Sequence, residues 1–273
     1  MVDDEPDVLS VTKLALKDIK IYGLPIKIHT AASKAEALEL LNQPPFAIAG
    51  QAEGSLAVAF IDVVMESPQA GLELCEDIRH TLGNRSAQLF VRTGQPGIAP
   101  ERAVVDEYDI SGYFTKVEMT EQKLYTLVKS GVRQWVTLWY ARLTAESTNY
   151  EIQHVDTREH LIEALDGMGE GFDDFGGTLV SGLVFDGKMF THQKPDQVRQ
   201  LHAELIQIDP VKTWPGGHQL IADGNRVMVK IEPTEDTIDY YYVSDGRIPL
   251  PEALHEMTFQ NGLALAMLYK RAK

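Results

Sequence analysis

Apolar positions in the first 118 residues alternate between strand-length runs and helix-spaced stripes. The central run is Ala57-Val58-Ala59-Phe60-Ile61-Asp62-Val63-Val64-Met65, too short for a helix and interrupted by one acidic residue. Before it, Val8, Val11, Leu14, Ala15 and Ile19 recur at helical spacing after Pro6, and Ile26 to Thr30 alternates as a half-buried strand does. Ser33 and Glu36 form a capping-box pair that opens a helix through Leu38 and Leu41, stopping ahead of Pro44-Pro45. After it, Gly71 to Leu82 reads as a helix, with Leu72, Cys75, Ile78 and Leu82 on one face and Gly83 as its stop. Leu89 to Thr93 reads as a strand, Pro100 to Glu107 as a short helix and Ile110 to Lys116 as a last strand. Strict alternation of strands and helices predicts a doubly wound parallel sheet covered on both faces.

In such a sheet the C-terminal strand ends open onto one crevice. Three runs end there on Asp62, Thr93 and Lys116, and the acidic start Asp3-Asp4-Glu5 precedes a helix. These groups together compose a phosphorylation site. Asp62 is the candidate nucleophile, Lys116 and Thr93 are candidate phosphoryl-oxygen partners, and the paired acids with Asp62 offer hard oxygen ligands to Mg²⁺. No one of these residues is specific alone; their order and strand-end placement are.

The segments Val2-Asp3-Asp4-Glu5-Pro6, Phe60-Ile61-Asp62-Val63-Val64-Met65, Arg92-Thr93-Gly94 and Tyr113-Phe114-Thr115-Lys116 resemble those of a response-regulator receiver domain. The resemblance covers residues 2–118 and implies a flavodoxin-like fold with Asp62 as phosphoacceptor. It further implies that Asp4, Asp62 and the Val64 carbonyl ligate Mg²⁺, that Asp3 acts through water, and that Thr93 and Tyr113 form the conformational switch. A sensor histidine kinase is the implied partner. Three departures stand out. Val117 occupies the place of a cis-proline, so the peptide after Lys116 is expected to be trans. Glu66 replaces a proline after Asp62, with Pro68 following. Only Met1 and Val2 precede the acidic pair where an apolar central strand belongs, so the first strand is expected to be largely missing and the reading frame truncated.

From Thr120 to Ser147 there is one glycine, Gly131, and no proline, while Leu124, Val128, Val132, Trp135 and Leu138 recur at helical intervals. A single long helix is predicted. Its Trp135 and Trp139 stripe suits either a two-stranded coil in a homodimer or packing on the chain's own second domain.

Residues 150–273 change texture. Helices are predicted over Arg158–Met168, ended by the glycines of 167–177, over Pro195–Ile208, and over Pro251–Lys273. Hairpins are predicted around Asp186-Gly187 and Asp223-Gly224, with a strand Ile238–Val243 stopped by Asp245-Gly246. The expected assembly is a small antiparallel α+β domain whose element order resembles a GAF-like sensory module. His192, His202, His218 and His255 lack metal-ligand spacing. Receivers with the turn Arg92 to Gly97 resemble a bacterial subgroup in which a cyclic di-GMP enzyme often follows, yet no GGDEF or HD–GYP motif occurs here, and the tripeptide Glu-Ala-Leu occurs only within segments read as helices.

Composition narrows the classes. A net charge of −15 argues against nucleic-acid binding and against docking on anionic membranes. There is no basic recognition helix. The single cysteine, Cys75, excludes an internal disulfide and fits a cytoplasmic setting. No run approaches the roughly 20 apolar residues of a membrane span. The reading is a receiver (1–119), a connecting helix (120–149) and a GAF-like domain (150–273). It makes the chain a cytoplasmic two-component regulator without an enzymatic output. The competing readings are an unphosphorylated pseudo-receiver scaffold and a small-molecule sensor.

Overall fold

A computed structural model describes residues 1–22, 24–47, 56–94, 101–171, 179–185, 187–191, 195–231, 240–246 and 252–272. The chain divides into two compact units, Met1–Trp139 and Tyr140–Lys273, and the boundary falls inside one long helix, α5 (Glu121–His154).

In the first unit, strands β3 (Val58–Asp62), β4 (Gln88–Thr93) and β5 (Gly112–Thr115) lie parallel in that order. Val2 adds isolated parallel bridges to Ile61 and to Ala31. The lateral order is therefore Ala31, Val2, β3, β4, β5, a flavodoxin-like α/β arrangement in which the position of the first strand is held by one bridging residue. Val2 donates to the Phe60 carbonyl at 2.9 Å, and its own carbonyl accepts from the Asp62 amide at 2.9 Å. The expected strand over residues 26–30 does not form. The segment beside it, Met1 to Asp3, bonds only its far end, the Met1 ammonium donating to the His29 carbonyl at 2.8 Å and the Ala31 amide donating to Met1 at 2.9 Å. Instead a two-residue pair, β1 (Lys20–Ile21) with β2 (Leu24–Pro25), turns the chain ahead of it.

Helices cover both faces. Val2, Ile61, Val63, Leu89 and Val91 pack with residues of α2 (Lys34–Leu41), α3 (Ala70–Glu76) and α4 (Glu101–Tyr108). Phe60 and Phe90 face the other way, against Leu16, which follows α1 (Pro6–Ala15), and against Leu124 and Val128 of α5. The period-2 alternation of β3 and β4 thus feeds two cores. Gly131 explains how α5 lies so close: a Cβ there would stand 2.8 Å from Val58 and 3.3 Å from Phe90. The stripe foreseen for α1 is displaced. Val11 and Leu14 are 66% and 71% exposed, whereas Thr12 and Leu16 are buried. The capping pair is half as expected, since Ser33 accepts from the Glu36 amide while the Glu36 carboxylate takes the Ala32 amide. The helix over Gly71–Leu82 loosens into a π-helical turn, Asp77–Thr81, before Gly83 at φ +67°. Buried Arg79 from that turn donates to the carbonyls of Asn84 and Asp109.

The second unit is a six-stranded antiparallel sheet, ordered β7-β6-β11-β10-β9-β8. The strands are β6 (Leu179–Phe185), β7 (Lys188–Phe190), β8 (Lys212–Thr213), β9 (Gln219–Asp223), β10 (Arg226–Ile231) and β11 (Tyr240–Gly246). Helix α7 (Pro195–Leu205) packs Val198, Leu201 and Leu205 on one face with Ile221, Met228 and Val243. Leu161 and Leu165 of α6 (Arg158–Gly171), with Phe259 and Leu265 of α8 (Glu252–Arg271), pack on the other with Phe185, Val229 and Tyr242. Both hairpins form at two-residue turns, Phe185 pairing with Lys188 and Asp223 with Arg226. Gly187 and Gly224 supply positive φ, and Asp186 lies outside the described residues. Two expected stops are overrun. Helix α6 continues through Gly167 and Gly169, and Asp245-Gly246 stays in the ladder opposite Val180 and Leu179, because Asp245 pairs with Arg226 as well and so holds an intrinsically weak strand end. The edge pair β8 had no apolar signal to reveal it. Among the described residues no helix is long and apolar enough to cross a membrane.

Candidate phosphoacceptor site

The last residue of β3 is Asp62, and its ladder partner on β4 is Arg92. Thr93 follows at the end of β4, fully buried. Lys116 begins a 3-10 turn directly after β5, held by Thr115, whose amide and hydroxyl both donate to Glu118 at 2.7 Å. The parallel topology brings these ends together, and the stretch from Val2 to α1 crosses above them.

The charged groups form one network. The Lys116 ammonium lies 2.9 Å from Asp62 Oδ2, 3.2 Å from Asp3 and 2.6 Å from Glu5 Oε1. Arg92 Nη2 lies 3.0 Å from Asp3 Oδ2, and both side chains are buried. Arg92 Nη1 also reaches the Thr12 hydroxyl at 3.5 Å, which accounts for a polar residue on the buried face of α1. Among the described residues, Asp62 Oδ1 and Arg92 Nε are buried and find no hydrogen-bond partner.

Asp3, Glu5 and Asp62 each offer a carboxylate oxygen, all within 4.8 Å of one another, a spacing that a hard divalent cation bridges. The structure does not bring Asp4 into this group; Asp4 is exposed. The backbone explains the exchange. It is extended here (Glu5 φ −89°, ψ 107°), so side chains at i and i+2 share a side and the residue between them points away. Val64 is half-buried in the turn after β3. That turn is pinned by Gly71 at the start of α3, whose amide donates to Val63 at 3.1 Å. A Cβ on Gly71 would fall 1.7 Å from the Asp62 carbonyl oxygen, so only glycine permits this approach. Tyr113 is half-buried on β5 with its hydroxyl unpartnered. Val117 is exposed and its peptide with Lys116 is trans.

Burial pushes the Asp62 carboxyl above the ordinary value of 3.8, against the opposing pull of the Lys116 hydrogen bond. Burial also works against the charge on Lys116, but its bonds to Glu5 and Asp62 prevail and hold the ammonium above its usual range. Glu5 is held below the usual carboxylate range by its hydrogen bond from Lys116. Lys116 is thus a fixed positive charge, and the buried oxygen of Asp62 is the poorly solvated one.

Arg92 and Glu5 are the members of this charged network that sequence reasoning did not single out. A signal existed for the first: a charged residue inside the otherwise apolar run Leu89-Phe90-Val91-Arg92 must find a partner at the strand end.

No family model matches the chain. Over 135 residues, half of this chain, it is 38% identical to a 3'3'-cGAMP-specific phosphodiesterase 2 of Vibrio cholerae, and the match spans 24% of that protein's length. Among solved structures, a response regulator receiver domain protein from Clostridium thermocellum aligns with 50% of this chain and 94% of its own, at 20% identity and TM-score 0.39. The signal receiver domain of an HD domain-containing protein from Pseudomonas fluorescens Pf-5 aligns with 49% of this chain and 92% of its own, at 19% identity and TM-score 0.39.

Proposed function

We propose that residues 1–119 are a phosphoacceptor receiver of a two-component system and that Asp62 is its phosphorylated residue. The observation that carries this reading is the Asp62 carboxylate itself. One oxygen is neutralised by Lys116, the other is buried and unpartnered, and two further carboxylates stand within reach of the same point.

The unpartnered oxygen attacks the phosphorus of a phosphohistidine on a sensor histidine kinase. A bond from that oxygen to phosphorus forms as the phosphorus–nitrogen bond breaks, the electron pair leaving with the imidazole. Lys116 stays beside the acceptor carboxylate and meets the charge arriving on the phosphoryl oxygens. Thr93, at the adjacent strand end, supplies a hydroxyl to one of those oxygens, and Tyr113 on β5 follows the movement of Thr93. Asp3, Glu5 and Asp62 fit a Mg²⁺ ion, with the Val64 carbonyl as a further ligand. When bound, that ion neutralises phosphoryl charge as a Lewis acid.

The second unit receives the signal. Its antiparallel order and flanking helices support a GAF-like module. A cleft of about 440 Å³ lined by Arg158, Ile162, Phe185, Lys188 and Tyr269 favours a small-molecule-sensing role there. The similarity to a cyclic-dinucleotide phosphodiesterase supports coupling to an enzyme of cyclic-dinucleotide signalling, in a cytoplasmic homodimer contacting through α5, where Leu138 is exposed.

The test is labelling with acetyl phosphate or a beryllofluoride adduct. The expected result is Mg²⁺-dependent modification that Asp62→Asn abolishes. A folded chain that takes up neither would overturn the reading and favour the unphosphorylated scaffold.

A further inference from the structure

We propose that Arg92 is a positioning residue that competes with a divalent cation for Asp3 and thereby weakens metal binding at the phosphoacceptor crevice. The inference rests on the metal-binding reading above and adds a control on it.

Every oxygen of Asp3 is already engaged. Oδ2 accepts from Arg92 at 3.0 Å and Oδ1 accepts from the Glu5 amide at 3.0 Å. Lys116 lies 3.2 Å from the same carboxylate. Glu5 Oε1 is held by Lys116 at 2.6 Å, and so is Asp62 Oδ2 at 2.9 Å. Asp62 Oδ1 alone among these oxygens is buried and free. Among the buried oxygens of the described residues here, a cation arriving in the crevice therefore finds only Asp62 Oδ1 open and must take Asp3 from a guanidinium.

That guanidinium cannot retreat by losing its proton or by turning to solvent. An arginine stays charged at any physiological pH, and Arg92 is 2% exposed. Its remaining contact is the long one to Thr12, and its Nε has none. The charge balance runs the same way. Asp3, Glu5 and Asp62 against Arg92 and Lys116 leave −3 + 2 = −1 in the crevice. Without Arg92 the balance would be −2, which a divalent cation neutralises.

The test titrates Mn²⁺ into the full chain and counts free ion by electron paramagnetic resonance. Arg92→Met keeps a stem of similar length and removes the charge. It is expected to bind Mn²⁺ about 10-fold more tightly than the unaltered chain, as follows from removing one like charge a few ångströms away. Adding Asp62→Asn should abolish binding in both backgrounds. Loss of a merely structural residue would loosen the site and weaken binding, so equal or weaker affinity in a folded Arg92→Met chain overturns the proposal while leaving the metal reading intact. Failure of every chain to bind millimolar Mn²⁺ overturns both. Should Arg92→Met not fold, nitrogen-15 spectra of the unaltered chain decide. The buried guanidinium signal should shift as Mg²⁺ saturates, and a signal that does not move sinks the idea.

Discussion

The two sheets place their polar groups in opposite ways. In the parallel sheet of the first unit, Asp62, Arg92, Thr93 and Lys116 come from the ends of three different strands and meet at one edge with Asp3. In the antiparallel sheet of the second unit, strands run both ways, so their ends are divided between two edges. Its polar contacts there, such as Lys212 with Glu256 and Arg226 with Glu204, lie at the surface. Parallel topology gathers charge where it can act and where it costs stability. Antiparallel topology yields a sheet with apolar cores on both faces and no comparable cluster among its described residues.

The largest contrast should appear at two glycines. Gly71→Ala drives a methyl group into the Asp62 backbone and should cost about 3 kcal/mol or unfold the first unit. Gly182→Ala on β6 meets only the Val198 and Thr191 side chains, the nearest at 2.7 Å, and should cost about 1 kcal/mol. Urea unfolding of the two variants measures both, and equal costs would erase the distinction drawn between a backbone contact and a side-chain contact.

Next in size are the ion pairs. Lys116→Met leaves Asp3 and Asp62 facing each other without the shared cation, and the expected loss is about 2 kcal/mol, below that of a fully buried pair because Lys116 is 18% exposed. Lys212→Met, at a pair with both partners 46% exposed, should shift the melting temperature by no more than about 2 °C. Calorimetry on both variants compares a crevice with a surface.

The pH response should separate the units further. Asp62 titrates above 3.8 in the fold, so its protonated form favours folding. Its contribution is present below the unfolded value and is lost as pH rises through the folded value. Asp62→Asn should therefore raise the melting temperature at neutral pH. Acetyl phosphate labelling of the unaltered chain, which needs the carboxylate, should fall as pH drops, with a midpoint above 3.8. An unchanged or lowered melting temperature in Asp62→Asn would place the stabilising charge on Asp62 after all. The smallest effect is expected on the exposed face of α1. Val11→Ser and Leu14→Gln should each stay within about 0.5 kcal/mol of the unaltered chain by denaturant unfolding.

Much of the fold is legible in the sequence because it is local. Asp62, Thr93 and Lys116 stand at the ends of apolar runs whose length and composition mark them as strands, and Asp223-Gly224 marks a hairpin by its own backbone preference. The single glycine of α5 was visible too, though its use as the point of closest approach to β3 and β4 was not. Periodicity named a stripe on α1, but Thr12 displaced Val11 because Arg92 lies beneath it. Residues 26–30 alternate as a strand should, yet among the described residues only Met1 bonds beside them, at His29. Neither fact is written near the residues it governs.

The sequence by itself determined which residue types reach the crevice, since strand period and strand ends follow from neighbours along the chain. Tertiary structure alone decided how they pair. It turned Glu5 toward Lys116 and Asp4 away, set Arg92 against Asp3, left one oxygen of Asp62 unpartnered among the described residues and pressed Gly71 onto the Asp62 backbone. The physical reason is range. Backbone preference and hydrophobic spacing act over a few residues, whereas a buried charge is compensated by whatever the fold brings within about 3 Å of it.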